Sequence, residues 1–64
     1  MRRTMIDTAE AAELLGVSTG WLRRRRCAGL GPAYIKLGGR VRYDVEDLTN
    51  FLLANRVEPS EGVR

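Results

Sequence analysis

The sequence predicts a small α+β domain made of two short helices joined by a tight turn, a β-hairpin and a third helix. Three observations support this prediction. Apolar residues recur at helical spacing near both ends of the chain. Gly16 and Gly29 stand where the first two helices would end. The pair Gly38-Gly39 separates two short runs rich in β-branched and aromatic residues, as in a hairpin. The 64 residues accommodate one such domain.

The first helix is predicted over residues 8–15, after a basic lead at residues 1–5. Asp7 can cap it, and Glu10 follows at the spacing of a capping box. Gly16 ends the helix, because glycine adopts the left-handed backbone without a Cβ clash. Its apolar face comprises Ala11, Ala12, Leu14 and Leu15.

The second helix is predicted over residues 18–29, with Ser18 as N-cap and Gly29 just past its end. It contains four consecutive arginines, Arg23 to Arg26. Successive helical side chains point about 100° apart, so four in a row cover most of the circumference and at least one leans toward the protein. We expect the stems of Arg25 and Arg26 to pack while their guanidinium groups reach water or phosphate.

A turn of three residues, Gly16-Val17-Ser18, joins these two helices. Two short helices linked by a tight turn containing glycine form a helix-turn-helix pattern. In that pattern the first helix braces the second, whose N-terminal half faces the major groove of DNA. Leu22 is expected to face the first helix, and Trp21 to be partly buried beside it.

The hairpin is predicted from strands at residues 34–37 and 41–43. A two-residue turn would mix apolar and charged residues on both faces. A three-residue loop at 38–40 instead separates them, so we expect the longer loop, with Arg40 at its tip. Tyr34, Lys36 and Arg42 then point away from the apolar face, which comprises Ile35, Leu37, Val41 and Tyr43.

The last helix is predicted to begin after Asp44 as N-cap, with acidic residues in its first turn, where the helix dipole favours them. The helix is predicted to end near Arg56. We therefore expect a domain at residues 1–56 and a flexible tail at 57–64. The apolar stripe of this helix comprises Leu48, Phe51, Leu52 and Ala54.

The charge is concentrated in the middle of the chain. The formal net charge is +3, but residues 18–43 contain seven basic side chains and no acidic one. This asymmetry is typical of nucleic-acid binding. The seven are Arg23, Arg24, Arg25, Arg26, Lys36, Arg40 and Arg42.

Composition excludes several functional classes. The chain has no histidine and one cysteine, Cys27, so it lacks a Ser-His-Asp triad, a histidine base, an internal disulfide and a cysteine-based zinc site. We expect no enzymatic activity, cofactor or metal. No apolar run approaches the ~20 residues that cross a membrane, and a cytoplasmic location is expected.

The order of elements resembles the winged helix-turn-helix family of phage excisionases (recombination directionality factors), AlpA-type regulators and the DNA-binding heads of MerR-type regulators. The likeness is carried by residues 11–18 (AAELLGVS), residues 31–43 (GPAYIKLGGRVRY), Asp47-Leu48 and Phe51-Leu52. The departures are Gly20, which offers no side chain for a base contact, and Arg25 and Arg26, which replace apolar residues common in the family.

The resemblance implies that helix 18–29 enters the major groove and that the hairpin tip, Arg40, enters the adjacent minor groove. The physics suits these roles, because arginine can bond guanine bidentately and favours a narrow minor groove, and helix N-terminal amides bind phosphate. The predicted DNA-contacting residues are Ser18, Thr19, Gly20, Arg23, Arg24, Arg26, Lys36, Arg40 and Arg42.

The leading functional hypothesis is an excisionase that binds and bends attachment-site DNA and promotes integrase-mediated prophage excision. It would contact double-stranded DNA, neighbouring copies of itself and an integrase. The absence of a sensor domain and of a long dimerisation helix favours it over a MerR-type regulator. The alternative is a stand-alone AlpA-like transcriptional regulator. A hypothesis of another class is a protein-interaction module whose basic helix docks on an acidic partner.

Overall fold

The computed structural model describes residues 4–59 and confirms the predicted α+β fold class. Residues 1–3 of the predicted basic lead at 1–5, and residues 60–64 of the predicted tail at 57–64, lie outside the described residues. In chain order the elements are β1 (Met5–Ile6), α1 (Thr8–Leu15), α2 (Thr19–Cys27), β2 (Ile35–Leu37), β3 (Arg40–Asp44) and α3 (Val45–Ala54).

The helix N-termini follow the predicted capping. At α1 the Asp7 carboxylate accepts a hydrogen bond from the Glu10 amide at 2.8 Å, and Glu10 Oε1 accepts one from the Asp7 amide at 3.2 Å. This reciprocal pair is a capping box and satisfies two amides that the helix itself leaves unpaired. At α3 the Asp44 carboxylate accepts a hydrogen bond from the Glu46 amide at 2.9 Å. Both predicted caps are confirmed.

The turn between α1 and α2 is closed by backbone hydrogen bonds. Gly16 adopts a φ of 75°, and its amide donates to the Glu13 carbonyl at 3.1 Å. The next amide, that of Val17, donates to the Ala12 carbonyl at 3.0 Å. These two bonds form a Schellman motif, which reverses the chain and brings α2 across α1.

The core lies where the three helices meet strand β3. Leu22 is fully buried there, as predicted, and Trp21 is partly buried against the cluster. Three residues predicted on apolar helix faces, Leu14, Leu52 and Ala54, are instead exposed, because this small core is filled from one narrow stripe of each helix. The buried cluster comprises Ala11, Ala12, Leu22, Tyr43 and Leu48.

The sheet has three antiparallel strands in the order β1-β3-β2, where two strands were predicted. The unpredicted strand β1 places Ile6 opposite Tyr43 and Met5 opposite Asp44. A strand of two residues is too short to show a periodic pattern, so the sequence did not reveal it. Its pairing makes β3 the central strand, and Ile6 closes one side of the core.

The predicted hairpin register is wrong by one residue. Leu37 lies opposite Arg40 and Ile35 opposite Arg42, so the turn contains only Gly38 and Gly39. Arg40 is therefore the first residue of β3 and flanks the tip instead of forming it. The prediction assumed that β2 must bury its apolar residues, but β2 is an edge strand and Leu37 is 59% exposed.

The corrected register also changes which side chains share a face of the hairpin. Cross-strand partners project on the same side of a sheet, so Lys36 shares the face of its partner Val41, which packs against the core. The Tyr34 ring lies on that side too, with its centroid 6.3 Å from that of Tyr43. Of the three side chains predicted to point away, only Arg42 does so.

Candidate nucleic-acid interface

The N-terminus of α2 is capped as the sequence predicted. The Ser18 hydroxyl accepts a hydrogen bond from the Trp21 amide at 3.0 Å, and the Ser18 carbonyl accepts one from the Leu22 amide at 3.1 Å. The amides of Thr19 and Gly20 lie in the first turn of the helix, where the helix itself provides no carbonyl acceptor for them. They are donors at the positive end of the helix dipole, and both residues are half-buried.

Gly20 leaves room for the side chain of Arg24. A β-carbon at Gly20 would lie 3.3 Å from Nη1 of Arg24, one helical turn further on. The guanidinium group of Arg24 thus extends back along α2 toward its N-terminus. Because the helix presents no side chain at position 20, the Arg24 charge lies against bare backbone.

Arg23 and Arg24 are exposed and available to an external anion. Within residues 4–59 the only ion pair joins Arg56 and Glu58, at 2.6 Å, so neither of these arginines is neutralised by a described carboxylate. The same holds for the basic residues of the hairpin. Among the described residues, the exposed basic side chains in the middle of the chain therefore have no ion-pair partner, and their charge attracts a polyanion.

The other two arginines of α2 contact aromatic rings. The Arg25 guanidinium carbon lies 4.9 Å from the centroid of the Trp21 ring, a cation–π contact within one helix. Nη1 of Arg26 donates to the Tyr43 hydroxyl at 3.1 Å and to the Thr8 hydroxyl at 3.5 Å. We expected both guanidinium groups to reach water or phosphate, but Arg26 turns its group toward the protein.

The three basic residues of the hairpin occupy different positions. Lys36 and Arg40 are exposed, and Arg42 is half-buried with Nη1 donating to the Val41 carbonyl at 3.0 Å. Arg40 and Arg42 share one face of the hairpin, whereas Lys36 projects from the other. The hairpin therefore carries positive charge on both of its faces and beside its tip.

The end of α2 places the hairpin next to this helix. Gly29 has a φ of 73°, and the Leu30 amide donates to the Arg25 carbonyl at 2.8 Å. A β-carbon at Gly31 would lie 3.3 Å from the Arg25 β-carbon, so the loop passes close against the last turn of α2. Pro32, in the loop that leads to β2, is buried.

Some of these contacts could be predicted from the sequence, and others could not. The Trp21–Arg25 contact has the i, i+4 spacing at which helical side chains meet, so it was open to prediction. The Arg26–Tyr43 bond joins residues on different elements, and no local pattern relates them.

Within residues 4–59, no group of three or more acidic, histidine or cysteine side chains is arranged to hold a metal ion.

These features define a helix-turn-helix DNA-binding domain followed by a β-hairpin and a third helix. The family model described as "Helix-turn-helix domain" matches residues 5–56, and the chain belongs to this family. Membership implies binding to double-stranded DNA. A comparison with curated proteins found no match. None of the helices within residues 4–59 is both long enough and apolar enough to cross a membrane.

Proposed function

We propose that this protein is a phage excisionase, a recombination directionality factor that binds and bends attachment-site DNA to promote integrase-mediated excision. Its family includes excisionase-like and AlpA-like DNA-binding proteins. The observation that carries the proposal is the placement, on two separate elements (α2 and the hairpin), of basic side chains that form no ion pair among the described residues. Contacts in two adjacent grooves favour a bent duplex, because bending brings more phosphates to the protein.

In the proposed complex, α2 lies in the major groove. Arg23 and Arg24 read base edges, where a bidentate arginine–guanine pair contributes about 1–3 kcal/mol of discrimination. The hydroxyls of Ser18 and Thr19 and the amide of Gly20 hold a phosphate at the helix N-terminus. The absence of a side chain at Gly20 lets the phosphate backbone approach closely.

The hairpin supplies the second set of contacts. Arg40, beside the glycine turn, enters the adjacent minor groove, whose potential is most negative where the groove is narrow. Lys36 and Arg42 contact phosphates on either side of the hairpin. The proposed complex brings five basic side chains to the duplex, so log K should fall with log salt at a slope of about −4 to −5.

The remaining parts of the proposal concern organisation. The DNA-binding domain is proposed to end at residue 56, as the sequence predicts. The protein works in the cytoplasm of a bacterial host, bound to DNA. Its partners there are an integrase and neighbouring copies of itself on the attachment region. It needs no cofactor and catalyses no reaction itself.

A reconstituted recombination assay tests this function. Purified integrase, the protein and a plasmid carrying the two prophage-end attachment sites of its own element are incubated, and excised circles are counted. We expect excision to require the wild-type protein and to fall steeply with Arg40→Ala. The matched control is Arg56→Ala, which removes the same charge from a side chain already paired with Glu58.

The same preparation separates the excisionase from the regulator. A promoter reporter from the same element is measured alongside the excision reaction. Excision that is independent of the protein, together with a change in promoter output, would replace the excisionase assignment with that of an AlpA-like regulator. If Arg40→Ala reduces neither excision nor promoter output, the hairpin does not belong to the DNA interface. An acidic protein partner that duplex DNA cannot displace would instead indicate an interaction module.

A further inference from the structure

Arg26 occupies an unusual position for a residue in an arginine run. Its guanidinium group is half-buried, and Nη1 lies within hydrogen-bonding distance of two neutral hydroxyls, those of Tyr43 and Thr8. Its guanidinium carbon also lies 5.8 Å from the centroid of the Tyr34 ring. No carboxylate within residues 4–59 forms an ion pair with it. This charge is therefore held by neutral groups.

The bond to Tyr43 has the stronger structural consequence. Tyr43 is fully buried, and its hydroxyl finds its hydrogen-bond partner, among the described residues, in Arg26. A buried hydroxyl without a partner is unfavourable, so the pair is satisfied only when Arg26 reaches inward. Among the described residues, every buried side-chain nitrogen and oxygen has a hydrogen-bond partner.

The contacts of Arg26 connect the elements that the proposed function requires to act together. Arg26 belongs to the last turn of α2, whereas Tyr43 lies in the central strand β3 and Thr8 begins α1. Tyr34 immediately precedes β2, the other strand of the hairpin. A single guanidinium group thus joins α2 to the base of the hairpin and to the helix that braces it.

We propose that Arg26 is a positioning residue whose bond to Tyr43 sets the orientation of α2 relative to the hairpin, and thereby the DNA sequence that the protein selects. This inference rests on the proposed DNA contacts of α2 and the hairpin. The planar guanidinium fork suits the role, because it holds several partners in fixed directions, which a lysine ammonium does not. Arg26 then acts through geometry and not by touching a base.

Arg25 provides a matched control within the same helix. It has the same charge and contacts an aromatic ring, but its partner Trp21 lies in α2 itself. A contact within one helix does not orient that helix against another element. Replacing Arg25 with lysine therefore leaves the orientation of α2 unchanged, whereas the same change at Arg26 loosens it.

The test uses Tyr43→Phe, which removes the hydroxyl oxygen and leaves the ring and all charges in place. A 30-base-pair duplex is first selected from a random pool by the wild-type protein. Affinity for this duplex and for a scrambled duplex is then measured at several salt concentrations. We expect Tyr43→Phe to reduce the ratio of the two affinities about tenfold, within the range for coupled side chains. The salt slope should stay unchanged, because no phosphate contact is lost.

Two further variants complete the cycle. Arg26→Lys should reduce the affinity ratio as Tyr43→Phe does, and the double variant should reduce it no further than Arg26→Lys alone. Arg25→Lys should leave the ratio within about twofold of wild type, as for a side chain uncoupled from the hairpin. A ratio unchanged by Tyr43→Phe but lowered by Arg26→Lys would overturn the proposal, and would make Arg26 a direct DNA contact.

A measurement without DNA tests the same inference. Amide residual dipolar couplings report the orientation of α2 relative to the β2–β3 hairpin in the free protein. We expect Tyr43→Phe to change that orientation or widen its distribution while circular dichroism shows an intact fold. Couplings identical to wild type would overturn the proposal. Because neither experiment involves integrase or attachment DNA, failure of the excisionase assignment leaves this inference standing.

Discussion

Leu37 lies directly opposite Arg40 across the β-hairpin, so only Gly38 and Gly39 form the turn between the strands. Gly38 has a φ of 62°, and Gly39 is not among the glycines with positive φ. A positive φ at the first central residue alone matches a type II′ turn, which suits the twist of antiparallel strands. The backbone of Arg40 is consequently fixed by pairing with β2, and its side chain projects from a paired strand instead of a loop.

This turn predicts opposite outcomes for its two glycines. Gly38→Ala should destabilise the protein by about 1 kcal/mol, because an L-residue is strained at positive φ. Gly39→Ala should be neutral or slightly stabilising, since a β-carbon there meets no atom within 4 Å. Urea unfolding of both variants measures the difference. Equal costs at the two positions would contradict the two-residue turn.

Arg24 and Arg40, two of the exposed arginines proposed as DNA contacts, should affect binding far more than folding. Arg24→Ala and Arg40→Ala should each cost about 1–3 kcal/mol in affinity where the arginine reads a base, or reduce the salt slope by about 1 where it contacts a phosphate. Thermal unfolding should change little, as for other exposed side chains. Fluorescence anisotropy with a labelled duplex provides the measurement.

The control for these variants is Arg56→Ala, which makes the same change of net charge at a guanidinium paired with Glu58. Its affinity for DNA should remain near that of the wild type. If Arg56→Ala weakens binding as much as the other two, the effect is one of overall charge, and the assignment of Arg24 and Arg40 to the interface fails.

Gly20→Ala should stabilise the folded protein and weaken its binding to DNA. Alanine favours a helix over glycine by up to about 1 kcal/mol. The new methyl group displaces only Nη1 of Arg24, 3.3 Å away, at the end of a flexible side chain. In the proposed complex the same methyl group stands between α2 and the phosphate backbone. Thermal melts and DNA titrations of one preparation check both parts, and tighter binding would refute the close approach.

The core should tolerate little loss of volume. Leu22→Ala removes a fully buried side chain and should cost about 2–5 kcal/mol. Domains are stabilised by roughly 0.05–0.15 kcal/mol per residue, so a chain of this size approaches its unfolding limit. Leu53→Ala is the matched control, because Leu53 is 59% exposed and should contribute under about 0.5 kcal/mol. Chemical denaturation followed by Trp21 fluorescence compares them.

The sequence by itself determined the helices and their ends. The caps at Asp7, Ser18 and Asp44 act over two or three residues, and the left-handed glycines at Gly16 and Gly29 act over a single turn. Such hydrogen bonds join residues that are close in sequence, so their positions could be predicted without knowledge of the fold. The concentration of basic residues in the middle of the chain was equally visible.

Only the tertiary structure decided the hairpin register, the third strand and the role of Arg26. The glycine pair permits either turn length, and the choice follows from β3 pairing with Ile6 on one side and β2 on the other. The partner of Arg26 is Tyr43, 17 residues along the chain. Contacts at that separation depend on how the helices pack against β3. Local sequence preferences do not distinguish the possible pairings, and packing and burial select one of them.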